Sequence, residues 1–107
     1  MSTKLKLQLD MYTELISSLE WVLQIFLFGS HAYGEPKEHS DLDLLVIVDD
    51  SLDPINATFK INQKLIGKRT VPLDVVVNRK RDFDEAIKEN TIQKLILDTG
   101  VLLYEAS

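Results

Sequence analysis

Asp41, Leu42 and Asp43 set two carboxylates two residues apart at the head of an apolar run, Leu44-Leu45-Val46-Ile47-Val48. Strand side chains alternate between faces, so Asp41 and Asp43 are expected to point the same way. Two like charges at the entrance to a buried strand repel each other and resist desolvation. A divalent cation compensates them, because magnesium prefers carboxylate oxygens and keeps positions open for water and substrate phosphates. A third acid, Asp74, lies in Leu73-Asp74-Val75-Val76-Val77, where an unpaired carboxylate among apolar neighbours is costly. If that strand lies beside the second, the three acids join in one cluster. Three carboxylates are about what two magnesium ions, roughly 3.5 to 4 Å apart, need to stabilise the entering and leaving oxygens of an in-line displacement. Upstream, Phe28-Gly29-Ser30 closes an apolar segment. Gly29 lets backbone approach a ligand closely, and the Ser30 hydroxyl with nearby N–H groups could hold phosphate oxygens.

The elements that must position these residues can be read along the chain. Leu5, Leu9, Tyr12, Ile16 and Leu19, three and four apart, predict one face of an amphipathic helix, although Leu5, Leu7 and Leu9 also alternate like a strand. Val22–Phe28 predicts a buried strand ending at Gly29, Ser30–Ser40 a loop that could open with a helical turn, and Asp41–Val48 a second strand. Asp53-Pro54 reads as an N-cap and first helical residue, with Ile55, Phe59 and Ile66 as one face of a helix ending at Gly67. Val71–Val77 predicts a third strand, with Pro72 tolerable near its start. Asp82 and Glu85 predict a capping box for a helix through Lys88, followed by a helix from Thr91 to Gly100 and a short edge strand at Leu102–Tyr104. The expected fold is an α/β (α+β) domain, a small mixed sheet flanked by helices, spanning residues 1–107 as one unit.

Composition narrows the function. The chain has 107 residues, 45% hydrophobic and 27% charged, enough for one domain with a real core. With 12 basic and 17 acidic residues its net charge is −5, which disfavours general nucleic-acid binding. There is no cysteine, so any metal must be held by oxygen or imidazole. Lys4 and Lys6 interrupt the apolar residues of the N-terminus, and no long uncharged run follows; a soluble, cytoplasmic protein without a membrane segment is expected.

Gly29-Ser30, ten intervening residues, Asp41-Leu42-Asp43 and the later Asp74 together resemble the signature of the DNA polymerase β nucleotidyltransferase superfamily. LFGSHAYG followed by SDLDLLV is similar to its minimal, single-domain branch in prokaryotes. The resemblance implies the polymerase β-like fold and two magnesium or manganese ions, with Asp41 and Asp43 binding both and Asp74 binding the catalytic one while helping to deprotonate an acceptor hydroxyl. It implies that Gly29 and Ser30 hold a nucleoside triphosphate, ATP above all. It further implies a partner of the HEPN type in a toxin–antitoxin pair, to which AMP is transferred. Many relatives carry arginine just after the serine; here the position is His31, largely neutral at pH 7 unless a neighbouring charge intervenes.

Other residues have plainer readings. Asp82-Phe83-Asp84 is a second Asp-x-Asp, but at a predicted helix start, where acids serve the helix. His31 and His39 lack a second histidine at metal-ligand spacing, and His39 reads as a loop histidine. Tyr33 suits stacking on a base or covering the loop equally well. Asp49, Asp50 and Asp53 read as structural, and Lys68-Arg69 and Arg79-Lys80-Arg81 as solvated surface. Two further functional readings follow. One is a catalytically weak or inactive nucleotide-binding module acting by protein contact, kept open by His31. The other is a homo-oligomer with no ligand.

Overall fold

The computed structural model describes residues 2–32 and 41–107. The chain runs α1 (Thr3–Ser17), β1 (Val22–Phe28), β2 (Leu42–Val48), α2 (Pro54–Leu65), β3 (Leu73–Arg79), α3 (Lys80–Ala86), α4 (Ile92–Thr99) and β4 (Val101–Glu105). The four strands form one mixed sheet in the order β3-β2-β1-β4. β1 is antiparallel to both β2 and β4, whereas β2 and β3 run parallel, joined by α2.

Local chemistry explains where the helices begin. The Leu5 N–H donates to Ser2 Oγ at the start of α1, which settles the first segment as helix. Asp53 caps α2 by accepting from the Asn56 N–H, with Pro54 as the first helical residue. Thr91 caps α4 through the Lys94 N–H. The predicted capping box at Asp82 and Glu85 does not form. α3 starts three residues earlier, directly after β3, and Arg79 at its cap makes no side-chain cap bond. The Arg81 N–H is instead taken at 2.8 Å by the Asp50 carboxylate, from the end of β2 and 31 positions away.

β2 is buried on both sides, which accounts for its unbroken apolar run. Leu42, Leu44, Val46 and Val48 pack with Ile25, Leu27 and the inner faces of α1 and α2. Leu45 and Ile47 pack on the opposite side with Phe26, Phe83 and Ile96, beneath α3 and α4. A Cβ on Gly100 would come within 2.6 Å of the Ile96 carbonyl and 2.9 Å of the Leu27 carbonyl, so the turn into β4 closes only over a glycine. Tyr12 is fully buried, and its hydroxyl donates to the Val71 carbonyl at 2.6 Å, tying α1 to the approach to β3.

Two expectations need correction. The third strand is Leu73–Arg79 rather than Val71–Val77, because parallel pairing residue by residue with Leu42–Val48 sets its limits. Pro72 stays outside the strand, its carbonyl accepting from the Leu42 N–H at 3.0 Å. The inner face of α2 is Ala57, Ile61 and Leu65, whereas Ile55, Phe59 and Ile66 point outward. Both stripes are apolar, so hydrophobic spacing alone chose the wrong one.

Candidate active site

Parallel pairing of β2 and β3 brings the acids together. Asp43 stands in register with Asp74, one step along from the Leu42–Leu73 pair. On its other side Asp43 is in register with Phe28, the last residue of β1. Strand alternation puts Asp43 on the face of Leu45 and Ile47, the face partly covered by α3 and α4. Asp41 sits just ahead of β2 and is exposed, as is Asp74, while Asp43 is half-buried.

The turn after β1 is shaped around Asp43. Gly29 has a φ of 78°, a left-handed conformation open mainly to glycine. A Cβ there would lie 2.3 Å from Asp43 Oδ2, so the missing side chain is the space the carboxylate occupies. The Ala32 N–H donates back to the Gly29 carbonyl at 3.1 Å, and Ser30 and His31 lie half-buried within that turn.

Crowding raises the pKa of Asp43 above the usual carboxylate value. Burial is the largest cause, followed by the charges of Asp74 and Asp41 and a side-chain hydrogen bond with Asp74; His31 acts in the opposite direction. Two carboxylates held side by side favour a positively charged group between them. Among the described residues, no lysine or arginine forms an ion pair with Asp41, Asp43 or Asp74.

Of the residues singled out by sequence, the structure brings together Gly29, His31, Asp43 and Asp74, with Asp41 within electrostatic reach. Ser30 joins them through the turn, whereas Tyr33 and His39 lie outside the described residues. The second Asp-x-Asp is elsewhere and is neutralised: Asp82 pairs with Arg79 at 2.8 Å and Asp84 with Lys80 at 2.6 Å. Those pairs also occupy two members of the Arg79-Lys80-Arg81 cluster. Sequence reasoning missed the contact between Gly29 and Asp43, and the only signal for it was a glycine at the end of an apolar strand.

The donor set suits a hard divalent cation. Oxygen ligands dominate, Asp43 and Asp74 are adjacent, and their charges raise the Asp43 pKa. Among the described residues, no three histidine, aspartate or glutamate side chains are already assembled into a cage.

The chain matches the family "Polymerase beta, Nucleotidyltransferase" over residues 11–107. It is 30% identical over 83 residues to a protein of Methanocaldococcus jannaschii named "Putative protein adenylyltransferase", covering 78% of this chain and 79% of that one. In fold it is similar to a structure described as a putative nucleotidyltransferase from Sulfolobus solfataricus, with a TM-score of 0.61 and 17% identity over 98% of this chain and 89% of the other. It is also similar in fold to a Shewanella oneidensis complex of a tri-AMPylated HEPN toxin with an MNT antitoxin, with a TM-score of 0.56 and 22% identity, covering 94% and 72% of the two chains. With a matching sheet, matching residues and the glycine turn set against paired acids, this chain belongs to the polymerase β nucleotidyltransferase family.

Proposed function

We propose that this chain transfers AMP from ATP to a hydroxyl on a partner protein of the HEPN type, acting as the antitoxin of a toxin–antitoxin pair. The observation that carries this reading is the register of Asp43 with Asp74 beside the Gly29 turn. The adenylyltransferase name of the M. jannaschii relative and the AMPylated toxin in the Shewanella complex support the nucleotide and the acceptor. A similar fold in a toxin–antitoxin complex with AMP-PNP supports ATP as donor.

Asp41 and Asp43 are the residues to hold both metal ions, and Asp74 the one to share the catalytic ion. Magnesium or manganese, when bound, polarises phosphoryl oxygens and neutralises charge on the departing pyrophosphate. Gly29 and Ser30 position the triphosphate where the turn meets β2. Asp74, at the exposed start of β3, takes the proton of the acceptor hydroxyl. The acceptor oxygen forms a bond to the α-phosphorus while the bond from that phosphorus to the bridging oxygen breaks, and pyrophosphate leaves with the electron pair.

Incubating the chain with ATP, magnesium and a purified HEPN partner should raise the partner's intact mass by one or more AMP units. Transfer should vanish in Asp41→Asn and Asp74→Asn, both isosteric and both at exposed positions. Normal turnover in either variant refutes the assignment. The second reading, a weak or inactive nucleotide-binding module, draws on His31 at a position where many relatives have arginine. Mg·ATP binding without any mass change in the partner would favour it.

A further inference from the structure

The three strands that carry the site follow the order of an in-line displacement. Phe28, Asp43 and Asp74 stand in one transverse row across β1, β2 and β3. The Gly29 turn, set against Asp43 Oδ2, lies at the β1 end of that row, and Asp74 lies at the other, on the edge strand β3. Such a displacement puts the leaving and entering oxygens on opposite sides of phosphorus. With the triphosphate at the Gly29 turn, pyrophosphate departs towards β1 and the acceptor hydroxyl arrives over β3.

Whatever flanks Asp74 on β3 therefore meets the acceptor. Strand alternation places Asp74, Val76 and Asn78 on one face, in register with Asp43, Leu45 and Ile47 of β2. On that face Phe26, Leu45 and Ile47 are buried with Phe83 of α3 and Ile96 of α4. Val76, paired with the buried Leu45, is nevertheless 44% exposed. The two helices thus cover β1 and β2 here and leave β3 open. Beyond Val76, the Asn78 side-chain oxygen accepts from Gln93 Nε2 at 3.2 Å, and the Asn78 amide donates to the Val77 carbonyl at 3.0 Å. With its nitrogen engaged, Gln93 keeps its side-chain oxygen for a further donor. At a rise of about 3.3 Å per residue, Val76 lies about 7 Å and Asn78 about 13 Å along the strand from Asp74.

We infer that Val76 and the Asn78–Gln93 amide pair form the acceptor subsite, taking a polypeptide segment whose hydroxyl is carried on an apolar stem. The stem crosses Val76 with its hydroxyl at Asp74, and a main-chain N–H of the segment reaches the Gln93 oxygen. This rests on the transferase reading above. The strip itself selects a polypeptide over a nucleic-acid acceptor. It offers an apolar surface and neutral amides, while the nearest cations in sequence, Arg79 and Lys94, are already paired with Asp82 and Asp98. A phosphate backbone finds no unpaired cation there, and the net charge of −5 opposes its approach.

The test follows AMP transfer to the purified HEPN-type partner by intact mass for wild type, Val76→Trp, Gln93→Ala and Leu102→Trp. Leu102 is an exposed apolar residue on the opposite edge strand, β4, and serves as the control for added bulk. All three substitutions are neutral, so the charge of the acid cluster is undisturbed. Val76→Trp should raise the KM for the partner about tenfold. Gln93→Ala should raise it about fivefold, the effect of one lost hydrogen bond. Both should keep the wild-type dissociation constant for Mg·ATP, and Leu102→Trp should change neither quantity. Because the chain has no cysteine, Val76→Cys introduces a single thiol. Its alkylation by a maleimide should be slowed by the partner and not by Mg·ATP alone. An unchanged partner KM in both Val76→Trp and Gln93→Ala overturns the inference and leaves the transferase reading standing. Shielding of the thiol by Mg·ATP alone does the same, since it puts the nucleoside on this strip. An equal rise in KM for Leu102→Trp also overturns the inference, by assigning the effect to bulk. If the wild type transfers no AMP, the transferase reading fails and this inference falls with it.

Discussion

A methyl group on Gly29 would stand 2.3 Å from Oδ2 of Asp43, so one residue's missing side chain is the other's carboxylate site. Gly29→Ala is expected to act twice. The left-handed backbone at 78° costs about 1–2 kcal/mol for an alanine, seen as a lower melting temperature. The Asp43 carboxylate must also rotate away, because it is the movable partner in the clash. Nucleotidyl transfer should therefore fall far more than stability does. Activity close to wild type in a protein shown to contain the alanine would separate the turn from the chemistry.

Metal-free stability reports the crowding directly. The folded pKa of Asp43 is raised from an ordinary value of 3.8, so between those two values the native state holds a proton that the unfolded chain has lost. Its favourable effect is lost as pH rises through the folded value, and above that the ionised carboxylate opposes folding. In chelator at neutral pH, Asp43→Asn should melt above wild type, with the gap closing as the pH approaches 3.8. Magnesium with ATP should reverse the order, since a ligand specific for the native state contributes about 2.7 kcal/mol at one hundred times its dissociation constant. A less stable Asp43→Asn in chelator would mean that the carboxylate is held by a protein donor.

His31 faces the same cluster, where its charge opposes the rise in the Asp43 pKa. Arginine keeps its charge at every working pH and meets phosphate oxygens in a bidentate way, whereas an imidazole changes charge near neutrality. His31→Arg should therefore tighten triphosphate binding. Equal dissociation constants for the two proteins would remove His31 from the phosphate site.

Tyr12→Phe probes the scaffold rather than the site. It removes the 2.6 Å hydrogen bond to Val71 and leaves a buried carbonyl without that donor. The loss should be about 1–3 kcal/mol, read as a lower urea midpoint at an unchanged denaturant slope. A midpoint equal to wild type would show that water replaces the hydroxyl.

The sequence by itself determined what local physics controls. The limits of β1, the cap at Asp53, the helix between Thr91 and Gly100, the edge strand after it and the spacing of Asp41 and Asp43 all depend on a few neighbouring residues. The fold class was legible for the same reason, since an apolar run between turn signals reads as a strand wherever it lies. Tertiary structure decided the rest. Asp43 and Asp74 became neighbours only when β2 and β3 paired in parallel register, a contact between residues 31 positions apart that no local pattern encodes. Asp50 replaced the expected capping box of α3 because the end of β2 carried a carboxylate to an N–H that Asp82 does not serve. On α2 two apolar stripes competed, and packing against α1 and β3 buried Ala57, Ile61 and Leu65. Hydrophobicity creates the demand for burial, but only the shape of the sheet decides which face of a helix meets it.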